Sequence, residues 1–145
     1  QHKRLISYTG IEAYPISMDL AANLNYPQLL QASEAVYFQF HQAEWEVEHQ
    51  IDPQFKFRKI LGQIEDQSFR EAFDVLFFDA FAPTAQPELW EEALLKKAYH
   101  ALRPGGIFVT YCAKGVVKRT LKSIGFKVET LPGPPGKREM TRGIK

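Results

Sequence analysis

Five consecutive residues, Asp79-Ala80-Phe81-Ala82-Pro83, carry the densest chemistry in this 145-residue chain. They follow the apolar run FDVLFF at residues 73–78. A carboxylate at the carboxyl tip of such a strand stands over the crevice in which open α/β sheets hold ligands. Asp79 has the chemistry of an acceptor, taking a hydrogen bond from an amine and then its proton. Phe81 and Pro83 add flat apolar surfaces against which a heterocycle can stack. The same residues also read as ordinary structure, with Asp79 capping a following helix and Phe-Ala-Pro making a turn. Spacing alone weighs the two readings evenly.

Other constellations are thinner. Glu12 ends the first strand-like run, where a ribose-binding acid belongs in sheets of this type. Gly62-Gln63-Ile64-Glu65-Asp66 follows another strand end, and Gln63 offers a donor and an acceptor to a ring edge. Asp66 serves equally as a helix cap and Glu65 as a solvated side chain. Pro132-Gly133-Pro134-Pro135-Gly136 is a rigid loop followed by Lys137 and Arg138, cations suited to phosphates or simply to water. Lys114, Lys118 and Lys122 repeat at i, i+4 and invite the same two readings, with Arg119 among them. Gln86-Pro87-Glu88-Leu89-Trp90 is ordinary helix-start chemistry. His2, His41, His49, His100 and Cys112 show no ligand spacing, so no metal site is expected.

The elements that must position these residues follow from periodicity. Residues 4–11 and 55–61 read as strands, and residues 73–78 as a strand buried on both faces of a parallel sheet. Pro15 opens a helical stretch that Asn25–Pro27 interrupts, and residues 28–43 continue at helical spacing. Residues 88–102 form an amphipathic helix stopped by Arg103-Pro104-Gly105-Gly106. Residues 107–112 give a second buried strand. Residues 114–124 give a helix with Val117, Leu121 and Ile124 inward, the three lysines outward and Gly125 as cap. Residues 126–131 and 138–144 are alternating strands around the loop at 132–137.

This order describes an α/β domain with a mostly parallel sheet, closed by an antiparallel hairpin at its C-terminal end. That is the Rossmann-like arrangement of class I S-adenosylmethionine-dependent methyltransferases, distinct from the all-parallel dinucleotide-binding sheet. The cofactor of such a fold lies across the strand ends, which makes Glu12, Gln63, Ile64 and Asp79 its candidate contacts. A Gly-rich turn belongs about 20 residues before the ribose acid. No Gly-x-Gly pair occurs, and counting back from Glu12 runs off the chain. The expectation is one partial domain over residues 1–145, truncated at the N-terminus, with its first strand and Gly-rich loop upstream. A sheet lacking that strand has an unpaired edge, which predicts a homodimer or marginal stability.

Bulk properties narrow the class. With 45% hydrophobic residues the chain can build a core, and no apolar run is long enough to span a bilayer. One cysteine permits no internal disulfide, which points to a reducing, cytoplasmic setting. The net charge of +1 hides an asymmetry. Residues 1–113 hold nine Lys and Arg against fifteen Asp and Glu, while residues 114–145 hold nine against two. A +7 end on a nearly neutral chain suits a polyanion docking on one side.

The segments FDVLFFDAFAP, QPELW, LRPGGIFVTYCAKGVVKRTLKSIGF and LPGPPGKREM together resemble the methyltransferase domain of the MnmC family. The likeness runs from about Arg4 to the C-terminus and is densest after Phe73. It implies S-adenosylmethionine as cofactor and the 5-aminomethyl group of a wobble 2-thiouridine in tRNA as acceptor. It matches Asp79 to the family's active-site acid, with Phe81 and Pro83 beside it, and Glu12 to the ribose-binding acid. It makes Lys114, Lys118, Arg119, Lys137 and Arg138 the expected tRNA contacts. The chain departs from the family in lacking the Gly-rich loop and the flavin-binding oxidoreductase domain that some members carry. Two alternatives stay open: a methyltransferase of this fold acting on a small molecule or protein amine, and a non-catalytic RNA-binding relative.

Overall fold

The computed structural model describes residues 4–145. They fall into two compact units, one ending at Gln67 and the other running from Ser68 to Lys145.

The first unit is a three-stranded sheet with short helices. Its elements are β1 (Ile6–Glu12), α1 (Met18–Ala22), α2 (Tyr26–Leu30), α3 (Glu34–Gln42), β2 (Glu48–Asp52) and β3 (Phe55–Leu61). The strand order is β1-β3-β2, with β1 parallel and β2 antiparallel to β3. Ser17 caps α1 by accepting from the Leu20 amide at 3.2 Å. The helical spacing read over residues 28–43 breaks into two helices, because Gln31 turns left-handed at φ 50° and ends α2. The hairpin strand β2 was not evident in the sequence. Its residues are mostly polar, and its turn depends on Asp52 accepting from the Gln54 amide at 2.6 Å.

Lys59 is the buried cation of this unit. Its ammonium donates to the His41 carbonyl at 2.6 Å and the Phe40 carbonyl at 3.4 Å, and lies 4.4 Å from the Trp45 ring centroid. It thereby satisfies carbonyls at the C-terminal end of α3, where a cation also suits the helix dipole. Burial pushes its pKa down from the ordinary lysine value.

The second unit holds β4 (Phe73–Phe77), α4 (Glu92–Ala101), β5 (Leu102–Thr110), α5 (Gly115–Ile124), β6 (Lys127–Pro132) and β7 (Glu139–Ile144). The order is β4-β5-β7-β6, with β4 parallel to β5 and β7 antiparallel to both β5 and β6. The predicted C-terminal antiparallel hairpin is present. Leu94, Leu95, Ala98 and Ala101 of α4 join Val117 and Leu121 of α5, with Phe108 and Phe126, in the core. Aromatic rings run through it, Trp90 against Phe78 at 5.2 Å, Phe78 against Phe108 at 5.4 Å and Phe108 against Phe126 at 5.5 Å.

Two expectations need correction. The FDVLFF run is not buried on both faces: Val75, 43% exposed, and Phe77, 69% exposed, share one face of β4 and leave it uncovered, and among the described residues β4 pairs with β5 alone. The Arg103–Gly106 tetrapeptide ends α4 as expected but then lies inside β5 as a bulge. Pairing jumps from Phe73↔Leu102 to Val75↔Ile107, and Gly105 takes φ +77° to make the excursion.

Candidate active site

Asp79 lies just past the end of β4. The Phe78 amide still donates to the Val109 carbonyl at 2.8 Å, and the Phe78 ring is buried against Trp90 and Phe108. That anchor fixes the point where the chain leaves the sheet. The following loop is held from behind. Trp90 donates its indole N–H to the Phe81 carbonyl at 2.8 Å, and Ala82 accepts from the Ala85 and Gln86 amides at 2.7 and 3.0 Å. The helix expected from Glu88 is a single 3-10 turn at Pro87–Trp90, with α4 beginning at Glu92.

The Asp79 side chain is exposed, forms no hydrogen bond among the described residues, and lines a cavity of about 270 Å³. It caps nothing. Pro83, Trp90, Tyr111, Lys114 and Lys137 line the same cavity. Phe81 is not among the lining residues and is 72% exposed. The opposite wall comes from the end of β5. There the Thr110 hydroxyl accepts from the Cys112 amide at 3.2 Å, and the Thr141 hydroxyl donates to the Cys112 carbonyl at 2.7 Å. Two neighbouring strands thus end side by side, β4 held by a backbone bond and the buried Phe78 ring, β5 by two threonine hydroxyls.

Tyr111 escaped the sequence reading, because its place beside Asp79 follows from strand register that no local pattern encodes. Phe77 pairs with Val109 in the parallel ladder, so Asp79 and Tyr111 each stand two residues beyond a paired position. Adjacent parallel strands release their next side chains at the same level. Lys137 meets them from the β6–β7 loop, its ammonium 4.9 Å from the Tyr111 ring centroid. The loop is tied to itself by Lys137 N–H to the Pro134 carbonyl at 2.9 Å and Gly133 N–H to the Arg138 carbonyl at 3.2 Å. A Cβ at Gly133 would collide with the Lys137 carbonyl, so the close fold of the loop requires glycine there.

The basic residues do not act alike. Lys114, Arg119, Lys137 and Arg138 are exposed and form no ion pair among the described residues. Lys118 was expected to face outward with Lys114 and Lys122. It instead bonds Glu139 at 2.8 Å and the Thr130 hydroxyl at 2.9 Å, joining α5 to the hairpin. The physical reason is the neighbouring β6–β7 edge, which offers it a carboxylate. The Lys118 hydrogen bond holds the Glu139 carboxyl below its ordinary pKa.

In the first unit, Glu12 and Gln63 come together through a residue the sequence did not single out. Glu12 accepts from the Tyr14 amide at 2.7 Å, and Gln63 donates to the Tyr14 hydroxyl at 3.1 Å. The second Glu12 oxygen forms no hydrogen bond among the described residues. The Gly62 amide donates to the Glu12 carbonyl at 3.1 Å, which ties the ends of β1 and β3 together. Ile64 begins the 3-10 turn that follows. An acid with one free oxygen beside an amide side chain fits a ribose diol and a ring edge.

No group of three or more His, Cys, Asp or Glu able to hold a metal occurs among the described residues, and His2 lies outside them. Among the described residues no helix is long and apolar enough to cross a membrane.

Comparison with known proteins places this geometry in context. A sequence model of S-adenosyl-L-methionine-dependent methyltransferases matches residues 25–145. The tRNA 5-methylaminomethyl-2-thiouridine biosynthesis bifunctional protein MnmC of Methylobacillus flagellatus is 32% identical over 98% of this chain, which spans 23% of that protein. The MnmC of Marinomonas sp. is 30% identical over 95% of the chain, which covers 21% of it. The crystal structure of MnmC2 from Aquifex aeolicus superposes with a TM-score of 0.68 at 20% identity, covering 96% of this chain and 43% of that one. At that identity the likeness shows the fold.

Proposed function

The chain belongs to the S-adenosyl-L-methionine-dependent methyltransferases, and from that premise we propose that it methylates the 5-aminomethyl group of a wobble uridine in tRNA. The observation that carries the reading is Asp79, an uncommitted carboxylate past the tip of β4 in a cavity shared with Tyr111 and Lys137. The MnmC relatives, named for tRNA 5-methylaminomethyl-2-thiouridine biosynthesis, support the choice of acceptor, and so does the +7 charge of residues 114–145. A tRNA substrate sets the reaction in the cytoplasm.

S-adenosyl-L-methionine, when bound, supplies an electrophilic methyl group on a sulfonium centre. Glu12 and Gln63 would hold its ribose hydroxyls and adenine edge, with Ile64 beside them. An amine attacks only as the free base, so the acceptor nitrogen must shed a proton and keep its lone pair aimed. Asp79 accepts a hydrogen bond from that nitrogen, orients it, and takes the proton released on transfer. Pro83 and Trp90 keep the pocket wall apolar. Lys114, Arg119 and Arg138 lie on exposed ground suited to phosphates, whereas Lys118 serves the scaffold.

The test is transfer of radiolabelled methyl from the cofactor to undermodified tRNA across a range of salt. Label should enter tRNA, and apparent affinity should fall steeply as salt rises. Label appearing only on small amines or protein, with binding indifferent to salt, would overturn the tRNA assignment.

A further inference from the structure

The tRNA reading leaves one wall of the cavity without a role, and that wall is an aromatic ring. Tyr111 is 46% exposed, outside the packed core, yet it lines the cavity that Asp79 enters. Phe81, the ring the sequence offered for stacking, does not line it. Asp79 and Tyr111 leave parallel neighbouring strands at the same level. A planar ring lying on Tyr111 would therefore present its substituent to the carboxylate. Tyr111 also holds a cation. The Lys137 ammonium sits 4.9 Å from its ring centroid, carried by the loop that Gly133 allows to close on itself.

We propose that Tyr111 is the platform on which the acceptor pyrimidine lies, and that Lys137 is its displaceable cover, exchanging the ring for the phosphate of the same nucleotide. The inference rests on the tRNA reading above and names positioning residues within that site. Cation–π contacts at exposed positions are weak. A nucleotide offers a π-face to the tyrosine and an anion to the lysine, so both partners exchange a weak contact for a better one. Because every base has a π-face, the platform fixes where the pyrimidine sits and not which base it is. An aliphatic amine without a ring or a phosphate would gain nothing from either residue.

The experiment measures KM for undermodified tRNA, cofactor affinity and the salt dependence of tRNA binding in the intact protein and in four variants. Tyr111→Ala and Tyr111→Leu should each raise KM about tenfold or more, with cofactor affinity unchanged. Tyr111→Phe, which keeps the ring, should stay near wild type. Lys137→Gln should reduce the slope of log affinity against log salt by about 1, while Tyr111→Ala leaves it intact. Tyr111→Leu preserves apolar bulk without a π-face, so a loss shared with Tyr111→Ala reports stacking and not packing. Transfer to tRNA with an unmoved KM in Tyr111→Ala, or Tyr111→Leu matching Tyr111→Phe, overturns this inference and leaves the tRNA reading standing. Wild-type protein that labels no tRNA removes both.

Discussion

Trp90 shows how a wall residue of the cavity governs the carboxylate beside it. Its ring packs edge-on against Phe78, and its N–H holds the Phe81 carbonyl, so one side chain fixes the loop on both sides of Asp79. Trp90→Phe keeps most of the packing and removes the bond. Thermal melts should show a loss of about 1 kcal/mol. Turnover should fall about tenfold as the carboxylate loses its fixed aim; unchanged turnover would show that the loop is held by other means. At this scale the sequence carried part of the site. Asp79 and Pro83 were legible because they follow an apolar run. Trp90 was not, since Gln-Pro-Glu-Leu-Trp has the composition of any helix start. Its role lies in a hydrogen bond nine residues away in the chain, which no local pattern encodes. Tyr14, which links Glu12 to Gln63, is hidden for the same reason.

Among the elements, the β6–β7 hairpin sets most of the local geometry. Gly133 is the residue that lets the two ends of its loop approach. Gly133→Ala places a methyl group against the Lys137 carbonyl, which must swing Lys137 away from Tyr111. The expected result is a weakened salt dependence of tRNA binding with little change in cofactor affinity. The hairpin is also pinned by charge. Glu129, hydrogen-bonded by Arg142, and Glu139, bonded by Lys118, are both held below the ordinary carboxylate pKa. Depressed folded-state values stabilise the fold above the unfolded pKa of about 4.3. That contribution is lost as pH falls through the lower folded values. Melting temperature should therefore drop below about pH 4, and the Lys118→Met variant should show a shallower drop. Apolar periodicity revealed α4, α5 and both hairpin strands. It failed at residues 28–43, where the left-handed Gln31 splits one apparent helix into two. It also placed Lys118 in solvent, because periodicity knows the helix but not the carboxylate on the neighbouring strand.

For the whole molecule, the core of the second unit and its open edge pull in opposite directions. Phe108 is wholly buried among Phe78 and Phe126, and Phe108→Ala should cost about 3–5 kcal/mol in denaturant unfolding. Against that, among the described residues β4 pairs on one side and exposes Val75 and Phe77, while β1 likewise pairs with β3 alone. Apolar edges of this kind seek a further strand. Self-association that grows with concentration in sedimentation equilibrium, and that Phe77→Lys suppresses, is the expected behaviour. A monomer at all concentrations would contradict it. The sequence made the apolar run legible but not its exposure. A strand paired on one side and one paired on both are written in the same residues.

Turnover of undermodified tRNA by Asp79→Asn measures most directly what the Asp79 carboxylate does. The substitution keeps size and hydrogen-bonding reach but cannot take a proton. Turnover should fall about 10²-fold or more with cofactor and tRNA affinities close to wild type. An asparagine variant that turns over at the wild-type rate would mean that the carboxylate past the tip of β4 is not where the amine loses its proton.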